Sequence, residues 1–303
     1  MKKVAISIGD LNGIGIEIAL RAHKKISKIV KPIYIIDKTM LKQAAFLLNV
    51  DIPKDFKTIS PKAKKFTIKP GAISKKSGEY SFLSFVKGVE LAELKKVDAL
   101  LTLPIHKKAW EKANLSYVGH TDFLRLYFKQ NAIMMLGCSK LYTALYTEHI
   151  PLKNVAKTIK SKKLTKFLLD FANSIKTNDK VAVLGLNPHA GDNGVLGDEE
   201  QIIEKAIKKA NKKLNRELFV GCIVPDIAFT PNFRKNYRYF VAMYHDQGLA
   251  PLKALYFDES INVSLNLPIL RVSVDHGTAF DIAYKGKKLN LKSYINAVKY
   301  IAK

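Results

Sequence analysis

Val181-Ala182-Val183-Leu184-Gly185-Leu186 is an apolar run, and Asn187-Pro188-His189-Ala190-Gly191 follows it directly. From residue 199 to 213 the apolar residues then recur at helical spacing. A short apolar run closed by a Pro/Gly turn reads as a buried strand, and the longer period reads as an amphipathic helix. The same unit recurs in both directions. Residues 4–8 precede 14–27, 32–36 precede 40–48, and the amphipathic stretch 78–95 leads into 97–103. Apolar runs at 133–136 and 143–146 are followed by helical patterns through Lys160 and Ile175. Runs at 218–224 and 239–244 come next, and 291–302 reads as a closing helix. Alternating strands and helices imply an α/β protein with a largely parallel sheet.

The chain has 303 residues, and about 150 residues per domain suggests two domains. No Ser/Gly linker marks a boundary, so a discontinuous domain is as good an expectation as a clean split. With 48% hydrophobic and 25% charged residues the chain is not disordered. No run of about 20 apolar residues is present, so no membrane span is expected. The first residues read as a strand rather than a signal peptide. Two cysteines, Cys138 and Cys222, exclude a disulfide framework and a Cys-based zinc site. A reducing, cytoplasmic location fits this usage.

The net charge of +25 comes from 51 basic and 26 acidic residues. Such a field can draw nucleic acid. Here nearly all the bases are lysines, scattered in pairs such as Lys24-Lys25 and Lys212-Lys213, with no basic tail. No basic strand carries the aromatic residues of a base-stacking platform. A solvated Lys-rich surface that steers an acidic, phosphorylated small molecule is the better reading. Neither nucleic acid nor membrane is expected as a partner. The rival reading would show oligonucleotide binding that weakens steeply with salt.

Ligands gather at the carboxyl ends of strands in open α/β sheets, and here those ends are polar and Gly-rich. Gly9-Asp10-Leu11-Asn12-Gly13-Ile14-Gly15 lacks the third glycine of a dinucleotide fingerprint. It is either a plain helix-starting turn or one that offers backbone N–H groups to an anion. In Gly119-His120-Thr121-Asp122, Thr121 is a good helix N-cap, or else His120 and Thr121 sit beside an anion at a helix start. His149, His189 and His245 each follow a strand. Three imidazoles with an open position suit a catalytic divalent metal, and Asp246 would fix a ring tautomer. Lys253, Asn262 and Arg271 punctuate apolar sequence, and lysine with arginine suits a phosphate. Residues 274–283 then read Val-Asp-His-Gly-Thr-Ala-Phe-Asp-Ile-Ala.

Together these motifs resemble the 4-hydroxythreonine-4-phosphate dehydrogenases of vitamin B6 biosynthesis, in order along nearly the whole chain. The most specific carriers are Leu-Asn-Pro-His-Ala-Gly at 186–191, Tyr-His-Asp-Gln-Gly-Leu at 244–249 and Val-Asp-His-Gly-Thr-Ala at 274–279. The resemblance implies an isocitrate/isopropylmalate-dehydrogenase-like α/β fold with two α/β subdomains and an interdomain cleft. Residues 1–123 plus 250–303 are expected to form one subdomain and 124–249 the other. It implies a homodimer with the active site at the subunit interface. His149, His189 and His245 match the metal ligands, shared between two subunits. His120, Thr121, Lys253, Asn262 and Arg271 match the substrate-binding positions. Asp226 and Asp246 match acids that maintain the site. His276, Gly277, Thr278 and Asp281 resemble the loop that takes the adenosine side of the cofactor. NAD is the expected cofactor, with NADP as the alternative, together with a divalent metal: zinc first, magnesium or cobalt otherwise. The implied reaction oxidises 4-phosphooxy-L-threonine at C3 and then decarboxylates it. Other four-carbon 4-phosphorylated acids, such as threonate or erythronate phosphates, stay open as substrates. The general base is not identified; Asp246, Lys107 and a metal-bound water are candidates. The chain departs from the family pattern at Leu11-Asn12 for Pro-Ala, at His106 for Asn, at Tyr284 for Gly and at Pro225 for Ala.

Overall fold

Near-continuous apolar sequence makes strands buried on both faces, and that is the character of parallel sheets covered by helices. In the computed structural model, which describes all 303 residues, β1 (Lys3–Ser7) is buried at every position after Lys3. Helix α1 (Gly15–Ile26) follows, burying Ile16, Ile18, Ala19, Ala22 and Ile26 on its inner face. Then come β2 (Lys31–Ile35), α2 (Lys38–Leu48) and the short β3 (Thr58–Ile59). Helix α2 ends on Asn49, which takes a left-handed φ of 50° and returns its N–H to Ala45 and Phe46. Helix α3 (Lys75–Glu93) begins where the Ser74 hydroxyl accepts from the Ser77 N–H. Strand β4 (Ala99–Thr102) and helices α4 (Lys107–Lys112) and α5 (His120–Phe128) close this stretch.

The chain continues through β5 (Ile133–Cys138), β6 (Leu141–Leu145), α6 (Val155–Thr158) and α7 (Ser161–Ile175). Next are β7 (Val181–Leu184), α8 (Glu199–Leu214), β8 (Phe219–Ile223), α9 (Pro225–Ala228), α10 (Pro231–Arg234), β9 (Tyr239–Ala242) and α11 (His245–Tyr256). Strands β10 (Ile261–Leu265) and β11 (Arg271–Val274) and helix α12 (Lys292–Ala302) complete it.

Two compact units result, 1–131 with 261–303, and 132–260. Their edges fall after α5 and after α11, so both helices stay whole. The sequence reading had placed cuts at 123/124 and 249/250, inside each of them. In the first unit the strand order is β3-β2-β1-β4-β11-β10, parallel except where β10 runs against β11. Its core gathers Phe85, Val89, Leu100, Trp110, Phe123 and Leu124; the Trp110 indole donates to the Ser81 hydroxyl at 2.8 Å. In the second unit the order is β5-β6-β9-β7-β8, parallel except for the β5–β6 pair. Leu141, Leu184, Phe240, Leu249 and Leu252 centre its core.

The first turn of the chain shows what this packing does to a charge. Asp10 is completely buried. Its carboxylate accepts from the Asn12 N–H at 2.9 Å and from the Ser77 hydroxyl at 3.1 Å. Burial raises the carboxyl to about 6, with those two donors pulling the other way. A raised folded-state value means the native chain holds this proton more tightly than the unfolded chain. The stabilisation is present below the ordinary Asp range and is lost as pH rises through 6. The shift of about two units corresponds to about 3 kcal/mol. Asp10→Asn should therefore raise the thermal midpoint at pH 8 and lose that gain towards pH 4. A difference between variant and parent that is flat with pH would contradict this.

Candidate active site

In the first unit the carboxyl ends of β1, β4 and β11 lie side by side, because those strands are parallel neighbours. Arg271, 2% exposed, opens β11. Its Nε and one terminal nitrogen donate to the Thr102 hydroxyl at 3.1 and 2.7 Å, and its other terminal nitrogen donates to the Ser264 hydroxyl at 3.1 Å. The nitrogen that reaches Thr102 also donates to His120 Nδ1 at 3.2 Å. None of these partners is a carboxylate. Burial brings the guanidinium down to about 9, so it is a cation at neutral pH. A buried cation held by neutral groups keeps its field for an incoming anion.

That arginine also sets a tautomer. A guanidinium can only donate, so His120 Nδ1 must accept and the ring proton belongs on Nε2. Desolvation, then the charge of Arg271, holds this imidazole well below its ordinary range, so it is neutral. The ring is fixed edge-on against Phe85 and Trp110 at 4.5 and 5.4 Å. Its Nε2 is buried and has no hydrogen-bond partner, and neither has Asn262 Oδ1. Asn262 lies two residues before Ser264 on β10, so both side chains face the same side of the sheet. His120 thus keeps an unused donor beside a fixed positive charge, and Asn262 an unused acceptor on the same face of the sheet as Ser264. Thr121 is not the N-cap the sequence suggested. Helix α5 begins at His120, and the Gly119 carbonyl takes the Phe123 N–H, two residues earlier than the hydroxyl preference implied.

In the second unit the carboxyl ends of β6, β9, β7 and β8 carry His149, His245, His189 and Asp226. These ends are stapled together. The Thr147 hydroxyl donates to the Met243 carbonyl at 2.6 Å. Gln247 accepts from the Met243 N–H and donates to the Gly185 carbonyl, both at 2.7 Å. The staples bring the His149 and His245 rings to 5.5 Å between centroids. His245 Nδ1 is 2.9 Å from an Asp246 carboxylate oxygen. That bond puts the ring proton on Nδ1 and leaves the Nε2 lone pair for a ligand. His189 sits at the next strand end, but no three His, Cys, Asp or Glu side chains of one chain converge as a metal cluster. The structure thus fits two imidazole donors of the expected trio together within a chain, and not the third.

His189 opens a turn in which residues 189–193 all have left-handed φ between 42° and 81°. Such backbone costs roughly 1–2 kcal/mol per non-glycine residue and needs external support. Glu200, 6% exposed, supplies it. Its carboxylate accepts from the N–H groups of Leu186 and Asn187, both at 2.8 Å, and from the Asn187 amide at 2.9 Å. Glu199 takes the same amide at 2.8 Å.

The remaining residues are placed as follows. Lys253 lies on α11 two turns after His245, with its ammonium 5.3 Å from the Phe257 ring. Asp226 is exposed in the first turn of α9. In the loop after β11, Thr278 is buried and its carbonyl accepts from the Ile14 N–H at 3.0 Å. Cys222 is only partly buried, and burial pushes its thiol up to about 12, which makes it inert. Sequence reasoning missed Thr102, Ser264, Gln247 and Glu200. Only Glu200 left a signal, as an acidic residue in the first turn of the helix after the His189 turn.

The family described as pyridoxal phosphate biosynthetic protein PdxA matches residues 28–301. A 4-hydroxythreonine-4-phosphate dehydrogenase of Sulfurimonas denitrificans is 63% identical, over 98% of this chain and 96% of its own length. The crystal structure of a 4-hydroxythreonine-4-phosphate dehydrogenase from Klebsiella pneumoniae matches with a TM-score of 0.84 and 29% identity, covering 100% of both chains. An isocitrate dehydrogenase from Methylococcus capsulatus matches at a TM-score of 0.52 and 15% identity, over 99% of this chain and 85% of its own. That last likeness speaks to the fold alone, and it bears out the isocitrate-dehydrogenase-like expectation.

Glu200→Ala should leave two half-buried backbone N–H groups without their acceptor, at about 1 kcal/mol each. Urea unfolding should show the loss, and the Leu186 and Asn187 amides should exchange faster with solvent hydrogen. Unchanged exchange at those two amides would remove Glu200 as the support of the His189 turn.

Proposed function

The chain belongs to the PdxA family of pyridoxal phosphate biosynthetic proteins, and from that premise we propose that it is an NAD-dependent dehydrogenase of 4-phosphooxy-L-threonine. The C3 hydrogen leaves as hydride to NAD⁺ and the C3 hydroxyl proton goes to a base. The resulting β-keto acid loses CO₂, and the carbon left behind takes up a proton, giving 3-amino-2-oxopropyl phosphate, CO₂ and NADH with no net proton. The single observation that supports this reading most is Arg271, a buried cation with only neutral partners. A phosphorylated amino acid is the kind of anion it suits.

The chain's own groups have the following parts. Arg271 holds a substrate anionic group, with its fork oriented by Thr102 and Ser264. His120 donates from Nε2 to a substrate oxygen, and its neutrality keeps it a hydrogen-bond donor without adding a second charge. Asn262 Oδ1 accepts from a substrate hydroxyl or ammonium. Lys253 and Thr121 complete the substrate contacts. Residues 276–281 receive the adenosine side of the dinucleotide. His149, His189 and His245 would hold a divalent metal, zinc first, contributed by two subunits of a homodimer. When bound there, the ion supplies Lewis acidity at the C3 oxygen, and neutral imidazole ligands leave it its full charge. Asp246 orients His245 for that role; Asp226 is assigned to maintaining the site.

An assay of NADH formation with 4-phosphooxy-L-threonine tests the reading, run with chelator and then with zinc, magnesium or cobalt resupplied. Turnover that yields an aminoketone phosphate, stops on chelation and returns with metal is expected; NADP⁺ in place of NAD⁺ gives the cofactor preference. Full activity under chelation would refute the metal role. Turnover only with threonate or erythronate phosphate would move the substrate to its non-amino relatives. A mixture of inactive His189→Ala and His245→Ala chains should regain activity after subunit exchange. No regain after verified exchange would contradict a shared site.

A further inference from the structure

Three of the positions where this chain departs from the family pattern, Leu11-Asn12, His106 and Tyr284, meet at one place in the first unit. Each of them bears on the loop after β11. The Tyr284 hydroxyl donates to the Leu11 carbonyl at 2.6 Å, fastening the far end of that loop to the first turn. Burial, then the charges of Asp10 and Glu17, pushes the phenol up, so the hydroxyl keeps its proton and stays a donor. The His106 ring stacks on Phe280 at 4.8 Å with 23° between the planes. Desolvation, then Lys108, keeps His106 below its ordinary range, so the stack is between neutral rings.

Asn12 acts through a second loop. Almost fully buried, it donates from its amide to the Ala72 carbonyl at 2.7 Å and accepts from the Lys69 N–H at 2.9 Å. Its own carbonyl accepts from the Gly71 N–H at 2.8 Å. Gly71, at φ +71°, backs directly onto Phe280: a Cβ there would lie 2.8 Å from the Phe280 carbonyl oxygen. Next to Asn12, Gly13 is equally tight, its Cβ position 2.8 Å from the Thr278 carbonyl oxygen. The loop is therefore held by a hydrogen bond at Tyr284, by a ring at His106 and by the Asn12-anchored 69–72 loop behind Phe280.

We propose that Asn12, His106 and Tyr284 are a set of positioning residues that hold loop 276–281 in its dinucleotide-accepting form, and so set the KM for the nicotinamide dinucleotide. This deepens the reading given above, and it rests on the assignment of that loop to the cofactor. The set works on backbone placement: its hydrogen bonds and ring contact described above go to the first turn, the 69–72 loop and Phe280, and none goes to Arg271 or His120, so its effect belongs to one substrate of the two.

The test uses the full chain and the variants Tyr284→Phe, His106→Ala, His106→Phe and Asn12→Ala. Two readouts are taken: hydrogen exchange of the amides in 276–281, and KM and kcat for NAD⁺ and for 4-phosphooxy-L-threonine. Removing the Tyr284 hydroxyl should quicken loop exchange and raise the NAD⁺ KM about fivefold, the worth of one net hydrogen bond. kcat and the KM for the phosphorylated substrate should stay within about twofold. His106→Ala and Asn12→Ala should act in the same direction, while His106→Phe, which keeps the stacked ring, should retain the parent's values. Faster loop exchange with an unchanged NAD⁺ KM overturns the proposal while the parent's activity leaves the proposed function standing. Equal rises in both KM values, or unchanged exchange in all variants, overturn it too. A parent chain with no NAD⁺-dependent turnover overturns both readings together.

Discussion

A single buried cation without a counter-ion organises the first unit. Arg271 stands at the start of a strand where burial is unfavourable for its charge, and its partners are two hydroxyls and an imidazole nitrogen. None of them neutralises it. Desolvating a charge without a partner is among the more costly arrangements a fold can make. The core of Phe85, Trp110 and Leu100 that packs around His120 and β4 supplies the apolar burial that tolerates it. The neighbouring imidazole responds as physics requires: it stays neutral, turns its lone pair to the guanidinium and leaves its N–H for something else.

The second unit solves a different problem, that of placing imidazoles on loops. Parallel strands deliver their loops to one edge, but loops drift unless tied. Gln247 ties the ends of β9 and β7, and Thr147 ties the ends of β6 and β9. Asp246 then fixes the tautomer of His245. The His189 turn is held by carboxylates of the following helix rather than by its own sequence preferences, which oppose its left-handed backbone. Strain of this sort, supported from outside, is common where a side chain must be presented for binding.

Much of this was legible in the sequence. The strand–helix alternation implies the class, and the apolar runs before His149, His189 and His245 mark all three as following strands. What stayed hidden had physical causes. Strands β10 and β11 carry Asn262, Ser264 and Arg271, whose polarity masks a buried strand, because those groups satisfy one another only once the strands pair. Helix α11 reads as a binding motif because Pro251 and Gly248 weaken its helical signal. Thr102, Gln247 and Glu200 have no sequence signature of what they hold, since each acts on backbone or side chains that only the fold brings near. The start of α5 at His120, rather than after a Thr121 cap, follows from packing of its ring between Phe85 and Trp110, which outweighs a local capping preference. The cuts expected at 123 and 249 missed the unit edges because they ignored the integrity of α5 and α11.

Under the proposed function, Arg271 is kept charged, with no carboxylate partner, for an anionic substrate. The most direct measurement is calorimetric binding of 4-phosphooxy-L-threonine, at fixed ionic strength, to the parent and to Arg271→Met, with the fold of the variant verified. Loss of a desolvated charge partner should weaken binding by about 30-fold or more. A folded Arg271→Met chain that binds the phosphorylated substrate as tightly as the parent would contradict the account.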